Sequence, residues 1–231
     1  MKKIFTIFAL AALTFTASNA QELKIGAKAG VNLSSLGGDK VPGIDTKGKI
    51  GLHLGGVGVY MFSDKFGAQA ELLYSSFGGK QEFNFSEEGF TDISEETTKL
   101  NYLSLPLMGK YYVTESLSFE AGPRIGFLLS ANSEFEDTFT FDGETETESG
   151  EVDISKGING LDLGFNIGAS YELESGLFFS LRYTLGLSNI YDSGSVFADI
   201  DEDGDIIDGI GTFSQQNNAF QISVGYFFLN D

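Results

Sequence analysis

The residues that could carry chemistry fall into three groups. From Asp199 to Ile206 the chain reads Asp199-Ile200-Asp201-Glu202-Asp203-Gly204-Asp205-Ile206, with carboxylates at alternate positions, glycine at the sixth and an apolar residue at the eighth. A calcium loop begins this way, because a hard cation is held by oxygens and the glycine permits a sharp turn. Ile210 stands where an EF-hand would place its bidentate glutamate, so Asp199, Asp201, Asp203 and Asp205 are expected to form a calcium site without that ligand, or else a solvated acidic loop. No other cofactor is expected. The second group is His53, the single histidine. Without a second histidine or a Ser-His-Asp order beside it, no catalytic residue is assigned and no enzymatic activity is expected. The third group is a set of isolated charges in glycine-rich, apolar surroundings: Lys24, Lys28, Glu71, Lys110, Glu120, Arg124, Asp162, Glu172 and Arg182. What these can do depends on the elements that carry them.

Those elements alternate with a period of two, which marks strands. Leu161, Leu163, Phe165, Ile167, Ala169, Tyr171 and Leu173 share one face, against Gly160, Asp162, Gly164, Asn166, Gly168, Ser170 and Glu172 on the other. After Glu174-Ser175-Gly176 the pattern resumes with Phe179, Leu181, Tyr183, Leu185 and Leu187 opposite Ser180, Arg182, Thr184, Gly186 and Ser188, making a hairpin. Each strand exceeds the roughly 9–11 residues that cross a bilayer at a tilt. An uncharged apolar face backed by glycine and serine suits a lipid-facing wall around a narrow interior. A secreted soluble β-sandwich also alternates and is the alternative, although its exposed face usually carries long polar side chains instead of glycines.

The same pattern recurs along the chain. Strands are expected over about 22–34, 49–62, from Phe66 through Ser75, around Leu103–Val113, over 117–129, in the hairpin, and through Phe220–Phe228. Pro106 and Pro123, lacking N–H groups, should mark irregularities. Connections alternate between short turns (Ser63-Asp64-Lys65, Thr114-Glu115-Ser116, Glu174-Ser175-Gly176) and long acidic loops at about 35–46, 79–97, 131–156 and 191–216. The expected fold is therefore an all-β, eight-stranded antiparallel up-and-down transmembrane β-barrel, its short turns periplasmic and its long loops extracellular. Outward aromatics beside the short turns, among them Tyr60, Phe62, Phe66, Tyr111, Phe119, Tyr171, Phe179, Tyr226 and Phe228, would form an interfacial girdle.

Residues 1–20 read as a signal peptide: Lys2 and Lys3, an apolar run from Ile4 to about Phe15, then Ser18-Asn19-Ala20. The barrel domain would occupy 21–231. Cysteine is absent, so stability must come from the sheet, and the formal charge of −19 argues against a nucleic-acid partner.

The leader, Lys24-Ile25-Gly26-Ala27-Lys28-Ala29-Gly30-Val31-Asn32, Asn101-Tyr102-Leu103-Ser104-Leu105-Pro106-Leu107 and Gly225-Tyr226-Phe227-Phe228 together resemble small outer-membrane β-barrel proteins of the porin family, PorT-like and of the OmpX/OmpA-barrel type. The resemblance spans about Lys24 to Leu229; it departs at the end, where the last aromatic is Phe228 and not the final residue. It implies an outer-membrane location and an architecture, and no reaction. In so narrow a barrel Lys24, Lys28, Lys110, Arg124 and Arg182 are expected to pair with Glu71, Glu120, Asp162 and Glu172, with His53 among them, as a polar plug. The function expected is a porin-like integral barrel with an envelope or structural role, or limited solute passage. The alternative is loop-mediated binding of divalent cations, lipopolysaccharide or part of a secretion apparatus, with outer-membrane lipid as the surrounding partner.

Overall fold

The computed structural model describes residues 22–39, 43–192, 197–200, 206–211 and 214–230. Among the described residues twelve strands run in order as β1 (Leu23–Gly38), β2 (Ile44–Lys47), β3 (Lys49–Ser63), β4 (Phe66–Glu87), β5 (Phe90–Tyr112), β6 (Leu117–Phe141), β7 (Glu144–Asp153), β8 (Leu161–Glu172), β9 (Leu177–Gly186), β10 (Phe197–Ile200), β11 (Ile206–Gly211) and β12 (Gln215–Asn230). A short 3₁₀ turn, Ser155–Gly157, precedes β8. Eight of the strands form a ring, β1-β3-β4-β5-β6-β8-β9-β12, antiparallel throughout, and β12 pairs back onto β1 to close it. Closure removes both sheet edges, which is how a strand structure can satisfy its backbone in lipid. No helix among the described residues is long and apolar enough to cross a membrane.

The alternation sorts the side chains as the sequence requires. Ile50 (71% exposed), Leu52, Ile167, Leu181 (58%) and Phe220 point out, while Asp162 (1%) and Asn166 (0%) on β8 point in. This overturns the sandwich alternative, in which the Leu161/Phe165 face would be covered by a second sheet; both residues are exposed. Rows of bare Leu and Ile around a whole circumference are far more apolar than water tolerates, and lipid is their solvent. Phe62, Phe66, Tyr111, Phe119, Tyr171, Phe179, Tyr226 and Phe228 are exposed around the short-turn end, with the Phe66 and Tyr111 rings 5.2 Å apart.

The two barrel prolines leave their mark without shifting the register. The β4–β5 ladder lapses opposite Leu105 and Pro106, and the β5–β6 ladder lapses at Leu107 and Met108, opposite Pro123 and Gly122. The true shift comes elsewhere, between Asn101 and Tyr102, and it turns the rest of β6 over.

The long connections correct the expectation from sequence. Expected loops 79–97 and 131–156 are in large part strand: β4 and β5 pair out to Glu87↔Phe90, and β6 and β7 pair from Asn132↔Asp153 to Phe141↔Glu144. The reason is local. Phe83, Phe85, Thr138, Phe139, Thr140 and Phe141 keep a period of two in residues that favour strands, and acidity masks it. The turn Asp142-Gly143, with φ of 49° and 84°, is the Asp-Gly hairpin turn that matches strand twist. At 35–46, β1 continues to Gly38 and β2 begins at Ile44; within 191–216 lie the β10–β11 hairpin and the start of β12. Because β4, β5 and β6 hold 22, 23 and 25 residues, they overshoot the ring by about a dozen residues each, on the order of 40 Å. The result is an open sheet, β2-β4-β5-β6-β7, rising from one rim.

Candidate functional site

Glycine makes room for the interior. A methyl group on Gly30 would lie 2.7 Å from the His53 ring, one on Gly225 would meet the Phe178 ring at 2.3 Å, and one on Gly126 or Gly164 would press on the Arg124 guanidinium at 3.1–3.2 Å. The column of glycines on the inward face is therefore the space into which large side chains of neighbouring strands fold.

Those side chains form a central network across the barrel, with a separate ion pair toward each end. Arg182 on β9 donates to Glu71 on β4 through Nη1 (2.9 Å) and Nη2 (2.8 Å), and to Glu120 on β6 through Nε (3.0 Å) and Nη2 (2.7 Å). Lys28 on β1 donates to Glu71 at 3.1 Å. Lys110 on β5 donates to Gln69 (3.1 Å) and Ser170 (2.9 Å) and stands 3.9 Å from Glu120. Lys24 and Glu172 pair at 2.8 Å nearer the short-turn end. Toward the other mouth Arg124 pairs with Asp162, which also accepts from Asn217 (3.2 Å) and Ser188 (3.1 Å), while the guanidinium lies 4.7 Å over the Phe77 ring. The nine charges singled out from sequence thus all turn inward and all find opposite partners. Buried charge is tolerable only when so paired.

His53 is held differently. Its Nδ1 lies 2.7 Å from Asn32 Oδ1 and its Nε2 2.7 Å from Ser223 Oγ. Asn32 Oδ1 also accepts from Gln221 (2.9 Å) and Asn32 Nδ2 donates to the Ser76 carbonyl (3.0 Å). An amide oxygen only accepts, so His53 carries a proton on Nδ1, and in the neutral ring the Ser223 hydroxyl donates to Nε2. The line Ser223, His53, Asn32 has the form of a nucleophile, base and orienting group. Sequence order does not reveal it, since the three come from β12, β3 and β1. All three are buried, and they serve to tie those strands together.

The paired charges do not fill the lumen from end to end. Toward the short turns Val57, Val59, Met61, Tyr112, Phe178 and Phe227 form a buried apolar layer, with Phe178 and Phe227 stacked at 4.5 Å. Toward the opposite mouth Leu36, Phe77, Leu100, Tyr102, Ala131, Ile158, Ile190 and Ala219 form a second. The connection after β7 folds over this mouth: Asn159 N donates to the Ile190 carbonyl (2.7 Å) and Asp192 N to that of Gly157 (3.0 Å). A readable signal exists in Phe178-Phe179 and Tyr226-Phe227-Phe228, where aromatics occupy both faces of a strand.

The projecting sheet has two unlike faces. Its outer face carries diagonal cross-strand pairs, Lys47 with Glu82, Lys80 with Glu95 and Lys99 with Glu134, and Asn132 meets Glu151 in the same way. The Glu82 carboxylate beside Lys47 holds its ammonium above the ordinary lysine value. Exposed pairs of this kind contribute little individually. Register places Phe83, Phe85, Phe90, Phe135, Phe139, Phe141 and Val152 together on the other face, which continues the inner wall of the barrel. The calcium expectation cannot be placed on this frame. Asp201, Asp203 and Asp205 lie outside the described residues, and Asp199 is described only by its backbone pairing with Ile207 in β10–β11. No group of His, Cys, Asp and Glu suited to a metal occurs among the described residues.

Comparison with known proteins bears on the fold as a whole. No curated protein matches the chain. Among solved structures, Ail of Yersinia pestis, the attachment invasion locus protein, is 14% identical, covering 90% of this chain and 99% of Ail, with a TM-score of 0.39. OprG from Pseudomonas aeruginosa is 15% identical over 91% of this chain and 96% of its own, with a TM-score of 0.36. Neisserial surface protein A is 11% identical over 88% of this chain and 97% of its own, with a TM-score of 0.35. The sequence pattern of the outer membrane protein beta-barrel domain matches residues 18–192, a span that takes in β1 through β9. With about three quarters of its length matched and its strands closed into an antiparallel ring, the chain belongs to the outer membrane protein beta-barrel domain family and is an outer-membrane β-barrel.

Proposed function

We propose that this protein is a closed barrel with an envelope role: it does not conduct, and it anchors the projecting sheet at the cell surface, leader removed and short turns in the periplasm. The observation that carries this reading is the filled cross-section, an ion-paired middle between two apolar layers. A solute path would have to separate Arg182 from two carboxylates and also unstack Phe178 from Phe227. Such a path has no compensation in sight, because every charge freed would remain in a low-dielectric interior. Limited solute passage, the other half of the expected function, would need the network to rearrange.

Planar bilayers test it. The refolded mature chain is expected to give no steady single-channel steps in potassium chloride, and steady openings would overturn the closed reading in favour of a pore. Outer-membrane lipid is the partner of the apolar belt. The sheet, which the barrel itself does not need for closure, is the part available for binding.

A further inference from the structure

We propose that the free edge of β7 is a docking site for an extended, positively charged segment of a partner protein, which adds as a further strand. The inference rests on reading the sheet as lying outside the cell. Among the described residues β7 pairs only with β6, and its other edge has no partner. The β6–β7 register runs unbroken from the Asp142-Gly143 turn to Asp153. In a two-residue hairpin the flanking residues, here Phe141 and Glu144, exchange hydrogen bonds, and the ladder then alternates. The N–H and C=O groups of Thr145, Thr147, Ser149 and Glu151 therefore point to the open side. Natural edges are usually blunted by lysine, proline, a bulge or a covering element. β7, Glu-Thr-Glu-Thr-Glu-Ser-Gly-Glu-Val-Asp, has no lysine, proline or bulge.

The side chains along that edge define the occupant. Glu144, Glu146 and Glu148 are exposed, on the same face as Phe141 (67% exposed) and Phe139 (43%), and no lysine or arginine pairs with them among the described residues. The basic residues of the sheet, Lys47, Lys80 and Lys99, are engaged with carboxylates on the opposite face. A second copy of this chain would set these glutamates against themselves, which disfavours self-pairing. A strand with arginine or lysine at alternate positions would place each charge against a glutamate and over a neighbouring phenylalanine ring, while its main chain completes the ladder.

The experiment uses the mature chain refolded in a zwitterionic detergent and a fluorescent twelve-residue peptide alternating arginine and threonine, read by anisotropy. Saturable binding is expected, weakened by about tenfold or more when alternate peptide nitrogens are methylated, and by as much in the variant Thr147→Pro, whose N–H faces the open side. The charge-reversed variant Glu146→Lys/Glu148→Lys should lose a similar factor, with heat-modifiable gel migration of both variants unchanged. Equal binding of the methylated peptide and of Thr147→Pro would reduce the effect to bulk charge and overturn the proposal, as would no binding, or equal binding of a glutamate-threonine peptide. A dimer abolished by Thr147→Pro would give the edge to a second copy and overturn it too. Channel openings in bilayers with peptide binding intact would remove the closed-barrel reading and leave this one; silent bilayers without binding would do the reverse.

Discussion

Replacing Glu71 with alanine is expected to lower the unfolding free energy of the refolded barrel by about 3–5 kcal/mol, the largest effect of any single lumen change. Glu71 accepts from Arg182, Lys28 and Gln69 at once, and its loss leaves Arg182, Lys28 and Lys110 sharing the one carboxylate of Glu120. The excess positive charge has nowhere to go in an interior sealed by Val57, Val59, Met61, Phe178 and Phe227 below and by Phe77 and Leu100 above. Urea titration followed by the fraction that migrates as a folded barrel in unboiled gels measures the loss. The double variant Lys28→Met/Glu71→Gln removes one charge of each sign and should recover most of it. If Glu71→Ala alone were neutral, the network would be solvated and the lumen open.

The second large effect lies on the other side of the wall. Leu181→Arg, at the middle of β9 and facing out, is expected to cost about 2–4 kcal/mol in bilayers, the cost of a cation at the lipid midplane. On the surface of a water-soluble protein the same substitution would fall within about 0.5 kcal/mol of neutral. The same unfolding titration, done in vesicles, distinguishes the two. Ser180 and Arg182, its neighbours in sequence, are buried in the lumen, so the contrast comes from one step along a strand.

Much of this is legible in the amino-acid order itself. Alternation between Leu161 and Leu187 determines which side of each strand faces out, and the short turns determine the order of the ring. The inward charges are legible as a set, because a narrow barrel leaves them no other place. Which of them meet is not: Glu71, Glu120 and Arg182 come from three strands, and the contact exists only once β12 closes on β1. The role of glycine is half visible. A glycine face suggests a narrow lumen, but only geometry shows that Gly30 yields to His53 and Gly225 to Phe178. The acidic stretches mislead, since runs of charge resemble a solvated loop while Thr138 to Phe141 keep strand periodicity underneath. The apolar layers are only partly legible: Phe178-Phe179 and Tyr226-Phe227-Phe228 mark one of them, and the rest is hidden for a different reason. Glycine and charge dominate the inward positions, and Val57, Val59 and Met61 in the inward phase of β3 break that rule without any other mark.

The most direct measurement concerns what the outer wall touches. The chain has no tryptophan, so Leu181→Trp gives a single reporter in vesicles of brominated lipid. Strong quenching, greatest with bromines deep in the acyl chains, is the result expected for a side chain at mid-belt. An unquenched tryptophan in a folded, vesicle-associated protein would mean that this face is covered by protein or water, and the account of the barrel would be wrong.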